Sequence, residues 1–233
     1  MFSLKKLKLE IKKAANPKQA KLLQRFFKTG KGQYGEGDIF LGIKVPVQRA
    51  IAKKYTDIFL VDLTKLIQSK IHEQRMIALF ILIDKNKKAN DQDKKNIFNI
   101  YLENTKHINN WDLVDLSAPN IVGQYLLDKK RDLLYKLAKS KNLWQKRISV
   151  LSTFTFIRNN QFGDSLKIAK ILLLDKHDLI HKAVGWMLRE VGKKDQLVEE
   201  KFLKKHYQKM PRTMLRYAIE KFSQIKRTYY LRK

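Results

Sequence analysis

A chain of 233 residues with 44% hydrophobic side chains and only 9 Gly and 4 Pro is long enough to bury a substantial core, which excludes a disordered or fibrous polymer. It has no Cys, which excludes disulfides, thiolate nucleophiles and thiolate metal sites and fits a reducing compartment. Lys and Arg number 50 against 22 Asp and Glu, a net charge of +28 that is the expected footprint of a protein meeting phosphate polyanions, nucleic acid first among them. Because 39 of the 50 cations are Lys, a general lysine bias and an acidic membrane surface are the competing readings. The longest clean apolar run, Met76 to Ile83, is far short of the roughly 20 residues that span a bilayer. The N-terminus carries early positive charge without the apolar stretch of a secretory signal, so the expectation is a soluble cytoplasmic protein with no membrane contact.

Strand signals are nearly absent, whereas apolar residues at three- and four-residue spacing recur almost end to end, which predicts an all-α chain. Leu4, Leu7, Ile11, Ala14 and Ala15 mark the first helix. Asn16 and Pro17 supply a cap and a first-turn proline for a second, running to Phe27 and ended by Gly30. Five of the nine glycines fall between 30 and 42, a loop that turns sharply or approaches DNA; Tyr34, Glu36 and Asp38 within it receive no role. Val45-Pro46 opens another helix. The same spacing predicts helices over 59–69, 73–85, 92–104, 111–123, 129–139, 143–157, 164–173, 179–191, 195–208 and 212–224.

Alternate helices overlay as a repeat. Their segments begin at His72, Asn109, Asn142, His177 and Met210, and Arg75, Trp111, Arg147 and Ala183 are each 36 residues apart. That period suits two helices and two turns. Such pairs bury their apolar faces only by stacking, so the expected architecture is a HEAT-like or armadillo-type solenoid, one domain over 1–233, with a concave basic groove lined by one helix of each pair. Accidental spacing within an ordinary helical protein is the alternative.

Trp111 and Asp115 lie four residues apart and share a helix face, while Asp112 fits the first turn after an Asn110 cap, where the helix dipole favours anions. Asp115 is too deep in the helix for that explanation. One repeat on, Arg147 matches Trp111; one repeat further, Trp186 lies a turn beyond the matching Ala183, and Arg189 a turn beyond Trp186. Stacked helices stand about 10 Å apart, so these side chains are expected to converge. A salt bridge between Asp115 and Arg147 flanked by core tryptophans is the plain account. A phosphate-binding surface gains nothing from a carboxylate, however, and an acid beside indoles suits a reaction that develops positive charge on its substrate. Cleavage of an N-glycosidic bond does so, through an oxocarbenium-like transition state.

The segments NNWDLVDLSAP, LWQKRISVLSTFTFIR, DLIHKAVGWMLREVGK and MPRTMLRYAIEKF, with GEGDIFLGIKVP nearer the start, resemble the AlkD-type DNA alkylation repair glycosylases over nearly the whole chain. The resemblance implies a HEAT-like fold and removal of cationic N-alkylated bases such as 3-methyladenine and 7-methylguanine from duplex DNA. It puts the catalytic aspartate on Asp115, the paired tryptophans on Trp111 and Trp186, and the arginine on Arg147. In that scheme Asp115 steadies the sugar cation and orients water. Trp111 and Trp186 pack on the deoxyribose, Arg147 grips an adjacent phosphate, and Lys182, Arg189 and Arg216 hold the strand. An alkylated purine leaves as a neutral base, so one carboxylate suffices. The implied enzyme is a monomeric, monofunctional hydrolase with no lyase step, no metal and no cofactor, and without a base pocket.

Other motifs fall away on context. Gly30 to Gly35 spells the dinucleotide fingerprint G-x-G-x-x-G but follows a helix and has no strand near it. His72-Glu73 begins a zinc motif whose second His is Met76. His177 and His181 have ligand spacing but no third ligand cluster. Two further functions remain open on sequence: a non-catalytic HEAT-repeat binder of branched or distorted DNA, which has no need of Asp115, and a protein-interaction scaffold.

Overall fold

The computed structural model describes residues 3–232. Among them the regular structure is helical, with a single isolated parallel bridge between Ile39 and Ile71. The helices are α1 (Leu4–Lys13), α2 (Pro17–Phe26), α3 (Val45–Lys54), α4 (Leu60–Ile67), α5 (His72–Lys88), α6 (Asp91–Glu103), α7 (Trp111–Ala118), α8 (Asp132–Ala138), α9 (Leu143–Arg158), α10 (Gly163–Ile171), α11 (Asp178–Lys194), α12 (Gln196–His206), α13 (Arg212–Ala218) and α14 (Gln224–Leu231). No helix among the described residues is long and apolar enough to cross a membrane. The chain divides into two compact units, Met1–Ser117 and Ala118–Lys233.

Local chemistry explains most of the helix starts. Ser3, Asn16, Asn90, Asn142 and Asp195 each place a side-chain oxygen on a backbone N–H of the first turn, and Pro17 and Pro46 occupy positions where a missing N–H costs nothing. In the first unit α5 is the axis. It packs against α1, α3, α4 and α6, and every residue from His72 to Ile83 is buried. The run from Met76 to Ile83 is apolar on all sides and so is buried on all sides, while the polar residues His72 to Arg75 are buried at the start of the helix. In the second unit α9 and α11 play that part: α9 packs on α8, α10 and α11, and α11 on α10, α12 and α13. Gly185 permits the last contact, since a β-carbon there would lie 2.4 Å from the carbonyl oxygen of Met214 in α13.

Five expected boundaries move by three residues or more: α5 and α11 run on past 85 and 191 to Lys88 and Lys194, and three other segments depart from the expected helix. The helix expected over 111–123 is α-helical only to Ala118; Pro119 has no N–H to offer the preceding turn, and Pro119–Gly123 widens into a π turn. The Thr155 hydroxyl of α9 donates to the carbonyl of Pro119 at 2.6 Å. The segment expected over 129–139 becomes helical only at Asp132. The helix expected over 212–224 ends at Ala218, passes through a 3-10 turn and breaks at Phe222, whose backbone is extended at ψ 156°. Ser223 then caps α14, a helix the periodicity does not separate.

Candidate active site

In the first unit, Trp111 opens α7 and Asp115 follows one turn later, half-buried like Trp111. The indole of Trp111 stacks on Phe27 at 5.2 Å and 21°, meets Phe26 edge-on at 6.1 Å, and donates its Nε1–H to the Tyr34 hydroxyl at 3.3 Å. The stack continues inward: Phe27 lies on Phe40 at 4.9 Å, and Phe40 on the His72 ring at 4.4 Å. Trp111 is thus the outer member of a column of rings. The charge of Asp115 is felt by Tyr101, whose phenol is pushed up chiefly by complete burial; its hydroxyl pairs with that of Ser117 at 2.9 Å.

Beneath the rings lies a polar set centred on His72, and neither His72 nor Asp38 has a role assigned from sequence. His72 is 2% exposed and sits between two carboxylates, with Nε2 2.8 Å from Asp112 and Nδ1 3.4 Å from Asp38. Asp38 also accepts from the Arg75 guanidinium at 2.7 Å and the Asn110 amide at 3.3 Å. Burial pushes the Asp38 carboxyl up, but its bonds to His72 and Arg75 outweigh that and hold it below the ordinary value. Burial likewise pushes His72 down, while Asp112 and Asp38 raise it above the usual imidazole range. Asp112 therefore does more than meet a helix dipole. One of its oxygens caps the N–H of Leu113 at 2.8 Å and the other holds His72.

The glycine-rich loop turns sharply, as expected, with positive φ at Gly32, Gly37 and Gly42. It is seated by Glu73, fully buried, whose carboxylate accepts the backbone N–H groups of Leu41, Gly42 and Ile43 at 2.8 to 3.2 Å. Gly42 is the one residue type that fits. A β-carbon at φ +82° would lie 2.2 Å from the Asn16 carbonyl oxygen.

In the second unit, α9 and α11 carry the remaining expected residues. Arg147 is 5% exposed, and its guanidinium donates to the carbonyl of Leu179, joining α9 to the first turn of α11. Trp186, half-buried, lies 5.8 Å from the Phe154 ring, and its Nε1–H donates to Glu190 at 3.1 Å. Glu190 also pairs with Lys193 at 2.7 Å and approaches Arg189 at 3.6 Å. Lys182 pairs with Asp178 at 2.7 Å, and Arg189 with Glu220. Arg216 is exposed and forms no ion pair among the described residues. The two paired cations are linked to acids that remain partly exposed, and exchanging such a partner for a phosphate costs little.

The structure thus seats Trp111 and Asp115 on one turn of α7, and places Arg147, Lys182, Trp186 and Arg189 on the packed pair α9 and α11. Glu190, which orients the Trp186 indole, is not among the residues expected from sequence, although its four-residue spacing from Trp186 is a local signal; His72, Asp38 and Glu73 carry no such signal, because their partners lie about thirty to forty residues away. Among the described residues no group of three or more His, Asp or Glu side chains is arranged to hold a metal ion.

A model of the DNA alkylation repair enzyme family matches residues 7–222. A search of curated proteins finds no match. Among solved structures, the chain is similar to a predicted DNA alkylation repair enzyme from Enterococcus faecalis, with 16% identity, 90% of this chain and 97% of that chain covered, and a TM-score of 0.69. It is also similar to AlkD2 from Streptococcus mutans, with 17% identity, 89% and 98% covered, and a TM-score of 0.54. At these identities the structural likeness establishes the fold.

Proposed function

This chain belongs to the DNA alkylation repair enzyme family, and from that premise we propose that it is a monofunctional glycosylase that hydrolyses the N-glycosidic bond of cationic N-alkylpurines, such as 3-methyladenine and 7-methylguanine, in duplex DNA. The observation that carries this reading is the pairing of Asp115 with Trp111 on one face of α7, in a chain of net charge +28. A carboxylate weakens binding to a phosphate backbone, so its place beside an indole is best explained by the chemistry it performs.

In the proposed reaction the alkylated purine departs as a neutral base, and no general acid is needed to protonate it. The sugar left behind approaches an oxocarbenium ion, whose positive charge Asp115 stabilises while orienting a water toward C1′. Trp111 and Trp186 present aromatic faces to the deoxyribose, where a developing cation is attracted to the ring quadrupole. The ring column behind Trp111 and the Glu190 carboxylate on the Trp186 indole hold the two faces in place. Arg147 takes an adjacent phosphate, and Lys182, Arg189 and Arg216 hold the strand. Recognition runs through sugar and backbone without a base pocket, and the enzyme acts as a cytoplasmic monomer.

The test is release of free base from duplex containing 7-methylguanine, comparing wild type with Asp115→Asn. Release by wild type and loss in the variant, with DNA affinity retained, supports the reading. Binding without release by either protein identifies a non-catalytic binder of distorted DNA instead.

A further inference from the structure

We infer that His72 is a positioning residue for the proposed excision site: held between Asp38 and Asp112, it fixes the entry of α7 and thereby aims Trp111 and Asp115. The inference rests on the glycosylase reading for its catalytic consequence, though not for its geometry.

Three consecutive residues at the start of α7 are each tied to side chains elsewhere in the first unit. The Asn110 side chain donates to Asp38 at 3.3 Å and accepts from the Trp111 backbone N–H at 2.8 Å. The Trp111 ring lies on Phe27 and donates to Tyr34. Asp112 accepts from His72 at 2.8 Å. Asp38 and Tyr34 belong to the glycine-rich loop, Phe27 follows α2, and His72 stands on α5. Every tie except that of Tyr34 leads back to the His72 ring, through a carboxylate on one side or through the stack of Phe40 and Phe27 on the other.

The composition of the set argues for direction over stability. Asp38 and Asp112 face the His72 ring and the guanidinium of Arg75, so two carboxylates meet an imidazole and a guanidinium in a mostly buried cluster. Filling the same space with apolar side chains typically gives equal or greater stability, whereas charge-assisted hydrogen bonds constrain angle and distance. What they constrain here is the first turn of the helix that presents the candidate carboxylate one turn later. A displacement of about 1 Å at such a group costs about 10²-fold in rate. Arg75 is a second anchor of the same kind, since it also donates to the carbonyl of Ser69 at 3.0 Å and closes the turn before α5.

The experiment uses the full chain labelled with 5-fluorotryptophan, carrying His72→Gln, Asp112→Asn, or both. The three tryptophans give three fluorine resonances, and Trp111 is identified by its loss in Trp111→Phe. The inference expects each single variant to shift the Trp111 resonance and leave those of Trp144 and Trp186 in place. Single-turnover base release should fall about 10²-fold with DNA affinity unchanged, and the double variant should be no worse than the more affected single. An unmoved Trp111 resonance overturns the inference, as does an unchanged excision rate, or additive losses in the double variant. Should wild type release no base, the glycosylase reading fails by itself, and the fluorine spectra still decide whether His72 positions Trp111. Asp112→Asn keeps an oxygen for the Leu113 N–H, so this arm stands even where His72→Gln fails to fold.

Discussion

Glu199→Gln should stabilise the second unit, and by an amount that grows with pH. Glu199 lies on α12 and is 1% exposed; its Oε1 has no hydrogen-bond partner among the described residues, and Oε2 occupies the space that a β-carbon on Gly192 would need, 1.6 Å away. Burial pushes its carboxyl up to about 9 from 4.5, with the charge of Glu200 adding to the rise and Arg189 opposing it. Because the folded-state value is raised, folding takes up a proton between these limits. Stability is therefore full below pH 4.5 and falls as pH rises toward 9, by about 1.4 kcal/mol per pH unit. At pH 7 the accumulated cost is about 3 kcal/mol, an upper value because the unfolded chain and local water relax the difference. Glutamine has the same shape and no charge to lose. Urea unfolding of both proteins from pH 4 to pH 8 should give curves that coincide in acid and diverge steadily above it. Parallel pH dependence of the two would refute the assignment of a buried, protonated Glu199.

Asp115→Asn should nearly abolish base release while duplex affinity holds or rises, since a repulsive charge leaves and the phosphate contacts stay; parallel loss of binding and release would mark Asp115 as structural. Arg147→Ala should weaken binding and lower the slope of log affinity against log salt by about one, with some loss of stability from the bond to Leu179; an unchanged slope assigns Arg147 to packing alone. Gly42→Ala should cost about 3 kcal/mol or more, because the new β-carbon meets backbone atoms of Asn16 and Ala20. Gly37→Ala, at φ +83° in open space, should cost only about 1 kcal/mol, and chemical denaturation separates the two. The raised pKa of His72, with Asp38, Asp112 and Arg75 facing it, means its contribution is complete below the ordinary imidazole value and is lost as pH rises through the folded one. His72→Gln should therefore be more destabilising at pH 6 than at pH 9, measured by the same urea series.

Periodicity, caps and spacing are local properties, and they made the helical class, most helix starts and the shared helix face of Trp111 and Asp115 readable from the chain. Asn16 caps α2 and Asn142 caps α9 because a side chain two or three residues from an N–H finds it without help from the rest of the fold. Residues joined across the chain were not readable in this way. Nothing in the run Asp38, His72, Asp112 announces that a loop, a helix and the start of another helix will meet, nor that Glu73, beside a failed zinc motif, will seat the backbone of Leu41 to Ile43. The same holds for the carboxyl of Glu199 against Gly192 and for the bond from the buried Arg147 guanidinium to the Leu179 carbonyl. A polar side chain in sequence is equally at home in water or in a buried pair. Only the packing of distant elements excludes the water, and that exclusion decides which charges must find each other.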